Sequence, residues 1–447
     1  MHQPSKQIAD RYRLQLSPAW QTWFDTDSQE LQPAGAFQTV LSAESLAVPR
    51  PAEIWPGFML PDTLPVLGNE YGDWICVRVL ADGGLGELLH WYHGGGDWVP
   101  LGQQLPAALV HDVIDQFRPV GRQMLRGASE TILPDHLSRV LAAFAEPRFR
   151  QWLSRGVAHS SLSPSQAVQV LDQLERLLQE DNYRAALQIL YEQQWSIDAV
   201  ACDLIEHGLQ RPIAPLADPA LAQTLQIPWT PDYVRCLFDI EYFSLDARER
   251  LSQAGGLHRG SWPRQDWQQA AQLAQNVLDR RQDLGWAFDI AGWNQQRQGD
   301  GERAAACYFA GRHASAFSDQ AVRMRTHWIE PRFGKFTIDR LAQLREQLPL
   351  EHQRDPYLQL ILQASSESER LRCVSDFWYR EGQQHLAQAA FADAYGCFYR
   401  AGWDMGAERL TDYPKILEGL VGSARGAGWA ARSAVAQTHL DCFLGKR

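Results

Sequence analysis

Two histidines three residues apart, His90 and His93, stand among acids and aromatic rings in the stretch YGDWICVRVLADGGLGELLHWYHGGGDWVPLG. Two glycine clusters, at 83–86 and 94–96, punctuate it. Residues of these types could chelate a metal, cradle a phosphate or turn strands. A phosphate loop needs GxxxxGKS or GxxxxGKT between a strand and a helix, and neither string occurs in the chain. The glycines precede strand-like runs, so no helix N-terminus follows them to receive an anion. At i and i+3 on one strand, His90 and His93 are expected to point to opposite faces, which excludes a shared metal. HExxH and GxSxG are missing. The seven cysteines (76, 202, 236, 307, 373, 397 and 442) are scattered singly, without the CxxC spacing of a zinc site and without a disulfide framework. Paired acids in an acidic region read as a solvated face rather than a catalytic dyad. The expectation is no metal, no cofactor and no catalytic residue, with the glycines serving as turns.

The elements around this stretch follow from periodicity. In DWICVRVL, Ile75, Val77 and Val79 fall on one face of a strand, and Trp74, Cys76 and Arg78 on the other. In ELLHWYH, Leu89, Trp91 and His93 alternate against Leu88, His90 and Tyr92. ADGGLG supplies glycines able to take positive φ between the two runs, and GGGD turns the chain again into WVPL. A short helix is predicted around Trp20 and Trp23, and AFQTVLSAESL reads as a strand passing into a helix. PAALVHDVIDQF, opened by Pro106, reads as an amphipathic helix with Leu109, Val110, Val113 and Ile114 inward. Residues 1–118 thus form an α+β domain around an antiparallel sheet, and 119–134 a linker without sustained periodicity. Beyond it the period is helical, over 135–260 and again over 261–447. Ser163 as N-cap and Pro164 at the first helical position open one helix, whose apolar face is Val170, Leu171, Leu174, Leu177 and Leu178. YRAALQIL returns after a break, and another helix is expected from Ser261-Trp262-Pro263 past Val277 and Leu278.

A finer pattern occurs twice. Phe288, Gly292, Gly299, Ala304, Tyr308 and Gly311 stand at offsets 0, 4, 11, 16, 20 and 23. Trp378, Gly382, Ala394, Phe398 and Ala401 repeat offsets 0, 4, 16, 20 and 23, with Ala389 where the first copy has Gly299. The pattern resembles the tetratricopeptide repeat, in which small residues let paired helices approach and aromatics fill the space between them. The copies lie 90 residues apart rather than one repeat length, so a degenerate α-solenoid and an irregular helical bundle both remain open.

The formal net charge of −11 is unevenly placed. Residues 1–120 carry six Lys or Arg and fourteen Asp or Glu. Such a domain repels nucleic-acid phosphates and attracts basic proteins, although the acidity could also serve solubility alone. No run approaches the ~18 apolar residues of a membrane span, and the first residues lack the apolar core of a signal peptide. A cytoplasmic chain with no membrane and no nucleic-acid partner is expected.

Residues 12–118 resemble the SUKH superfamily, which includes the yeast cell-wall assembly regulator and many bacterial immunity proteins. The resemblance rests on Leu41, Ser42 and Glu44 at a helix start and on Asn69, Gly72, Asp73 and Trp74 before a central strand. A further strand carries Trp91 and His93. The chain departs from the small members of that family by adding residues 119–447. The resemblance implies a non-catalytic binding module that neutralises or controls a basic protein partner such as a toxin. The candidate binding residues are Glu70, Tyr71, Asp73, Trp91, His93, Asp97 and Trp98. Glu70, Asp73 and Asp97 are expected to project from turns into solvent, while Trp91 and Trp74 also suit the core. Two other readings stay open: a scaffold that uses the helical region in cell-envelope assembly, and an enzyme without a recognisable motif. Oligomeric state is not legible.

Overall fold

The computed structural model describes residues 3–25, 33–93, 96–119, 132–158, 162–209, 244–255, 264–318, 335–403 and 407–445, with Gln223, Gln226, Asp239 and Glu241. The chain divides into two compact units, one of residues 1–200 with 375–447, the other of residues 201–374. This division cuts the chain differently from the sequence blocks, because residues 375–447 pack with the sheet. Residues 120–131 of the expected linker and the expected helix start at 261–263 lie outside the described residues.

The first unit is built on an antiparallel meander of five strands, β1 (Thr39–Val40), β2 (Thr63–Gly68), β3 (Trp74–Val79), β4 (Leu85–Trp91) and β5 (Trp98–Gly102), each beside its neighbour in sequence. The alternating runs form β3 and β4 as expected, paired Trp74 to Trp91 and Val77 to Leu88. Ile75, Cys76 and Val77 are all fully buried, so protein covers both faces of β3. Gly83 and Gly84 form the turn between β3 and β4 as expected, Gly86 already lies in β4, and Gly94 and Gly95 lie outside the described residues. Gly83, at φ +89°, donates to the Leu80 carbonyl, and Leu80 N–H reaches back to Gly84 O. Ahead of the sheet lie α1 (Pro4–Tyr12) and α2 (Pro18–Asp25), and α3 (Ala43–Ala47) begins at Ser42, whose hydroxyl caps Ser45 N–H. The predicted amphipathic helix is α4 (Leu105–Asp115). Its buried Asp112 accepts the Ala36 and Phe37 N–H groups at 3.2 and 3.1 Å. Burial still raises that carboxyl to about 7.

Helices α5 (Ile132–Phe144), α6 (Pro147–Val157), α7 (Pro164–Gln179), α8 (Tyr183–Glu192) and α9 (Ile197–Leu209) follow. Ser163 and Gln166 close a capping box at the start of α7, on the N-terminal signal of the sequence. The second unit contains α10 (Leu245–Gly255), α11 (Trp267–Leu278), α12 (Gly285–Arg297), α13 (Gly301–Gly311), α14 (Phe336–Leu344), α15 (Leu350–Gln353) and α16 (Pro356–Gln363). The chain continues through α17 (Glu367–Ala387), α18 (Phe391–Trp403), α19 (Tyr413–Gly426) and α20 (Ala430–Gly445). This is an α+β sheet region followed by a largely helical one. Among the described residues no helix is long and apolar enough to cross a membrane. The described cysteines are all free, and Cys236 lies outside the described residues.

Helices α18–α20 are fixed to the sheet by a buried polar seam. Tyr399 donates its hydroxyl to Asp62 Oδ1 at 2.8 Å, and Arg78 Nη2 donates to the same hydroxyl at 3.3 Å. Arg432 Nε donates to Val79 O at 3.0 Å. Asp62 is 3% exposed, and burial holds the Tyr399 phenol well above its ordinary pKa, so it stays a neutral donor. Buried polar groups are tolerated only when paired, and this seam pairs residues 337 apart in sequence. On α20, His439 is fully buried beside the Thr63 backbone, and burial pushes it down to about 4.

The two patterned segments are α12–α13 and α17–α18, both helical hairpins. In the first, a Cβ on Gly292 would lie 2.3 Å from the Tyr308 ring, and one on Gly311 would lie 2.6 Å from Phe288. In the second, a Cβ on Gly382 would lie 2.9 Å from the Phe398 ring. Offsets 4 and 20 therefore meet in both copies, as a small residue under an aromatic ring. Both turns also close alike. Asp300 N–H reaches Gln295 O at 3.1 Å, and Ala390 N–H reaches His385 O at 2.9 Å. Gly299 and Ala389, matched at offset 11, both take left-handed φ, +80° and +57°.

Candidate functional site

The turn that leads into β3 is closed by its own side chains. Asn69 Oδ1 accepts the N–H groups of Tyr71 and Asp73 at 3.0 and 2.9 Å. Asn69 Nδ2 donates to Asp73 Oδ2 at 3.2 Å. The main chain adds Asn69 N–H to Asp73 O at 3.1 Å and Gly72 N–H to Asn69 O at 3.3 Å. Gly72 sits at φ +87°, where a side chain would be strained. An Asn at the first position of such a turn substitutes its carboxamide for a main-chain acceptor. The five residues form a loop closed by its own hydrogen bonds.

The histidines correct the reading from strand alternation. His93 lies beyond the end of β4, in a turn, where the two-residue period no longer sets direction. Both rings therefore converge on Asp73: His93 Nδ1 lies 3.0 Å from Oδ1, and His90 Nε2 lies 3.6 Å from Oδ2. His93 N–H also donates to Asp73 Oδ1 at 3.1 Å. Burial of Asp73 opposes its ionisation, but the hydrogen bonds from His90 and His93 outweigh that and hold the carboxyl well below the usual carboxylate range. Asp73 is the ionised hub that ties the β3 turn to the end of β4. His90 is in turn stacked on Tyr92, with ring centroids 3.8 Å apart, and meets Phe37 edge-on.

An aspartate holding one imidazole nitrogen can orient a general base. Here the His93 side chain is 45% exposed on a turn. Among the described residues no three His, Cys, Asp or Glu side chains gather where they could hold a metal.

The remaining candidates separate by burial. Glu70 is exposed, and Tyr71, at 72%, is the most exposed large hydrophobic side chain among the described residues. Asp97 is 5% exposed and does not project into solvent as expected. Its carbonyl accepts Tyr92 N–H at 2.8 Å, closing the turn between β4 and β5. Trp91 and Trp98 face each other across β4 and β5 and are buried. Trp91 Nε1 donates to Phe58 O at 2.8 Å, and the Arg78 guanidinium lies 5.2 Å over the Trp98 ring. Trp74 covers Gly68, where a Cβ would lie 2.2 Å from its ring. Of the seven candidates, Glu70, Tyr71 and His93 reach a surface, and Asp73 positions them. Sequence reasoning missed His90, whose link to Asp73 shows only once β3 and β4 are paired in register.

Comparison of the chain with family models, with curated proteins and with solved structures finds no match.

Proposed function

We propose that this chain is a non-catalytic protein-binding protein of the immunity or regulatory type, acting in the cytoplasm on a basic partner such as a toxin. The observation that carries this reading is the display of Tyr71, largely exposed, on a turn already closed by hydrogen bonds. Tyrosine offers a large amphipathic contact with little rotamer entropy to lose, and interface hot spots are enriched in it. A turn closed by its own hydrogen bonds lowers the ordering cost that binding would otherwise incur. Beside it, the exposed Glu70 and the ionised Asp73 supply a negative field suited to a basic surface. The resemblance of residues 12–118 to the SUKH superfamily supports the same reading.

The test is quantitative affinity capture with the full-length chain, comparing wild type with Tyr71→Ala and Glu70→Lys, each checked for unchanged thermal unfolding. A basic protein captured by wild type and reduced about thirtyfold or more by Tyr71→Ala is expected, since a hot-spot tyrosine contributes ~2 kcal/mol or more. Equal capture by all three proteins would remove the turn from the binding surface.

A further inference from the structure

The second unit carries a cleft of about 750 Å³ between α11 and α12. Its walls bear carboxamides, Gln268 and Gln272 from α11 against Asn294 and Gln298 from α12, over a floor of Ala271 and Ala291. Among the described residues, the charged side chains that line it are Arg297 and Glu241, and these pair with each other. Arg297 also pairs with the buried Asp239, and its guanidinium lies 4.9 Å over the Trp267 ring. Among the described residues the lining is therefore polar and close to neutral, and it can both donate and accept.

The spacing of these carboxamides narrows the ligand class. Gln268 and Gln272 are four residues apart on α11, as are Asn294 and Gln298 across the end of α12. Four residues of helix rise ~6 Å. Two residues of extended chain rise ~6.6 Å, so main-chain groups that face the same way recur at nearly that interval. Each carboxamide offers an N–H donor and a C=O acceptor, the complement of a main-chain amide. Gln272 Nε2 is already anchored on Asn276 Oδ1 at 2.9 Å, which positions its carboxamide before a ligand arrives. The alanine floor leaves room for a chain to lie close. Two other classes fit less well. A near-neutral wall gives nucleic-acid phosphates nothing to neutralise. The ring that a sugar would stack on, Trp267, is 4% exposed and carries Arg297 on its face.

We infer that the α11–α12 cleft binds an extended, uncharged polypeptide segment of about four residues through its main chain, with small side chains toward Ala271 and Ala291. This site is separate from the Tyr71 turn and stands or falls independently of it.

The experiment pans a phage-displayed library of random dodecapeptides on the full-length protein. Enriched peptides are then titrated by fluorescence polarisation. Peptides rich in small uncharged residues are expected to bind wild type and the Tyr71→Ala variant equally. They should bind the double variant Gln272→Ala/Asn294→Ala at least about tenfold more weakly, since two lost hydrogen bonds are each worth ~1 kcal/mol. Ala271→Trp, a filling change at a half-buried position, should abolish binding, with circular dichroism confirming the fold of each variant. N-methylation of alternate peptide residues should abolish binding too, which a side-chain-directed site would tolerate. Failure to enrich any peptide overturns the assignment. So does equal affinity for wild type and both cleft variants, indifference to N-methylation, or retention of neutral glycans that the cleft variants lose.

Discussion

The hairpins α12–α13 and α17–α18 have nearly the same backbone solution and different means of holding it. Both place a glycine under an aromatic ring, and both close the turn with an N–H reaching back five residues. The first carries its turn signals in its own sequence. Gly299 takes its left-handed conformation without a steric penalty, and Asp300 caps α13 by accepting Arg303 N–H at 3.0 Å. The second has Ala389 in the left-handed position and Ala390 where the cap would be, so it lacks both local aids. Its aromatic is instead caged from two sides: a Cβ on Gly419 of α19 would lie 2.7 Å from the Phe398 ring. One hairpin is specified by its turn, the other by its neighbours.

The largest effect expected from this contrast is at the caged ring. Phe398 is fully buried, and Phe398→Ala should cost ~3–5 kcal/mol in urea unfolding. Tyr308→Ala should cost less, because the third helix at that ring, α14, meets it only edge-on through Phe336 with centroids 6.2 Å apart, whereas α19 sets a glycine directly against Phe398. An equal loss for the two would dissolve the distinction.

A second test reaches the neighbours that hold the α17–α18 hairpin, since α19 packs on α20 and α20 carries His439. Folded His439 is depressed to about 4, below its ordinary ~6.5. The unfolded chain then binds the extra proton, and stability falls as pH drops from ~6.5 through 4, by up to ~3 kcal/mol. Asp112, raised to about 7, acts in the opposite sense: the folded state binds the extra proton, and stability falls as pH rises from ~3.8 to 7. The two slopes oppose each other over the shared window. Asp112→Asn should therefore expose a net loss on acidification that the wild type conceals, and adding His439→Leu should flatten it. Chemical denaturation at pH 4.5, 5.5 and 6.5 measures both. An Asp112→Asn protein indifferent to pH would count against the His439 assignment.

The smallest effects lie in the turns. Ala389→Gly should stabilise by up to about 1 kcal/mol, and Ala390→Ser by ~0.5–1 kcal/mol through a new cap. The opposite changes in the first hairpin, Gly299→Ala and Asp300→Ala, should each destabilise by about 1 kcal/mol. Differential scanning calorimetry resolves shifts of this size. If Ala389→Gly gives no gain, the second turn is held so firmly by its surroundings that local strain does not register.

Local rules made much of this legible and non-local ones did not. Alternation placed β3 and β4, Ser163 and Pro164 marked the start of α7, and offsets 4 and 20 named rings and glycines that do meet. His93 was assigned a direction by extending strand alternation past Trp91, where the strand ends. Asp97, Trp91 and Trp98 looked available because turns and aromatics are common at surfaces, but the pairing of β4 with β5 puts all three inside. The seam between Asp62 and Tyr399 had no signal at all, since neither residue belongs to a local period that names its partner. Nor could Ala389 be matched in conformation to Gly299 from residue type alone, which argues against a left-handed alanine.

That seam also has a meaning in time. The ribosome releases the sheet residues first, and Asp62 precedes its hydroxyl donor by 337 positions. At ~5–20 residues per second, the wait for Tyr399 is roughly 20–60 s. For most of that interval the sheet residues, all of them already made, carry the Asp62 carboxylate without the helices that later cover it. Until Tyr399 emerges, water must supply the hydrogen bonds that the carboxylate later receives from the seam.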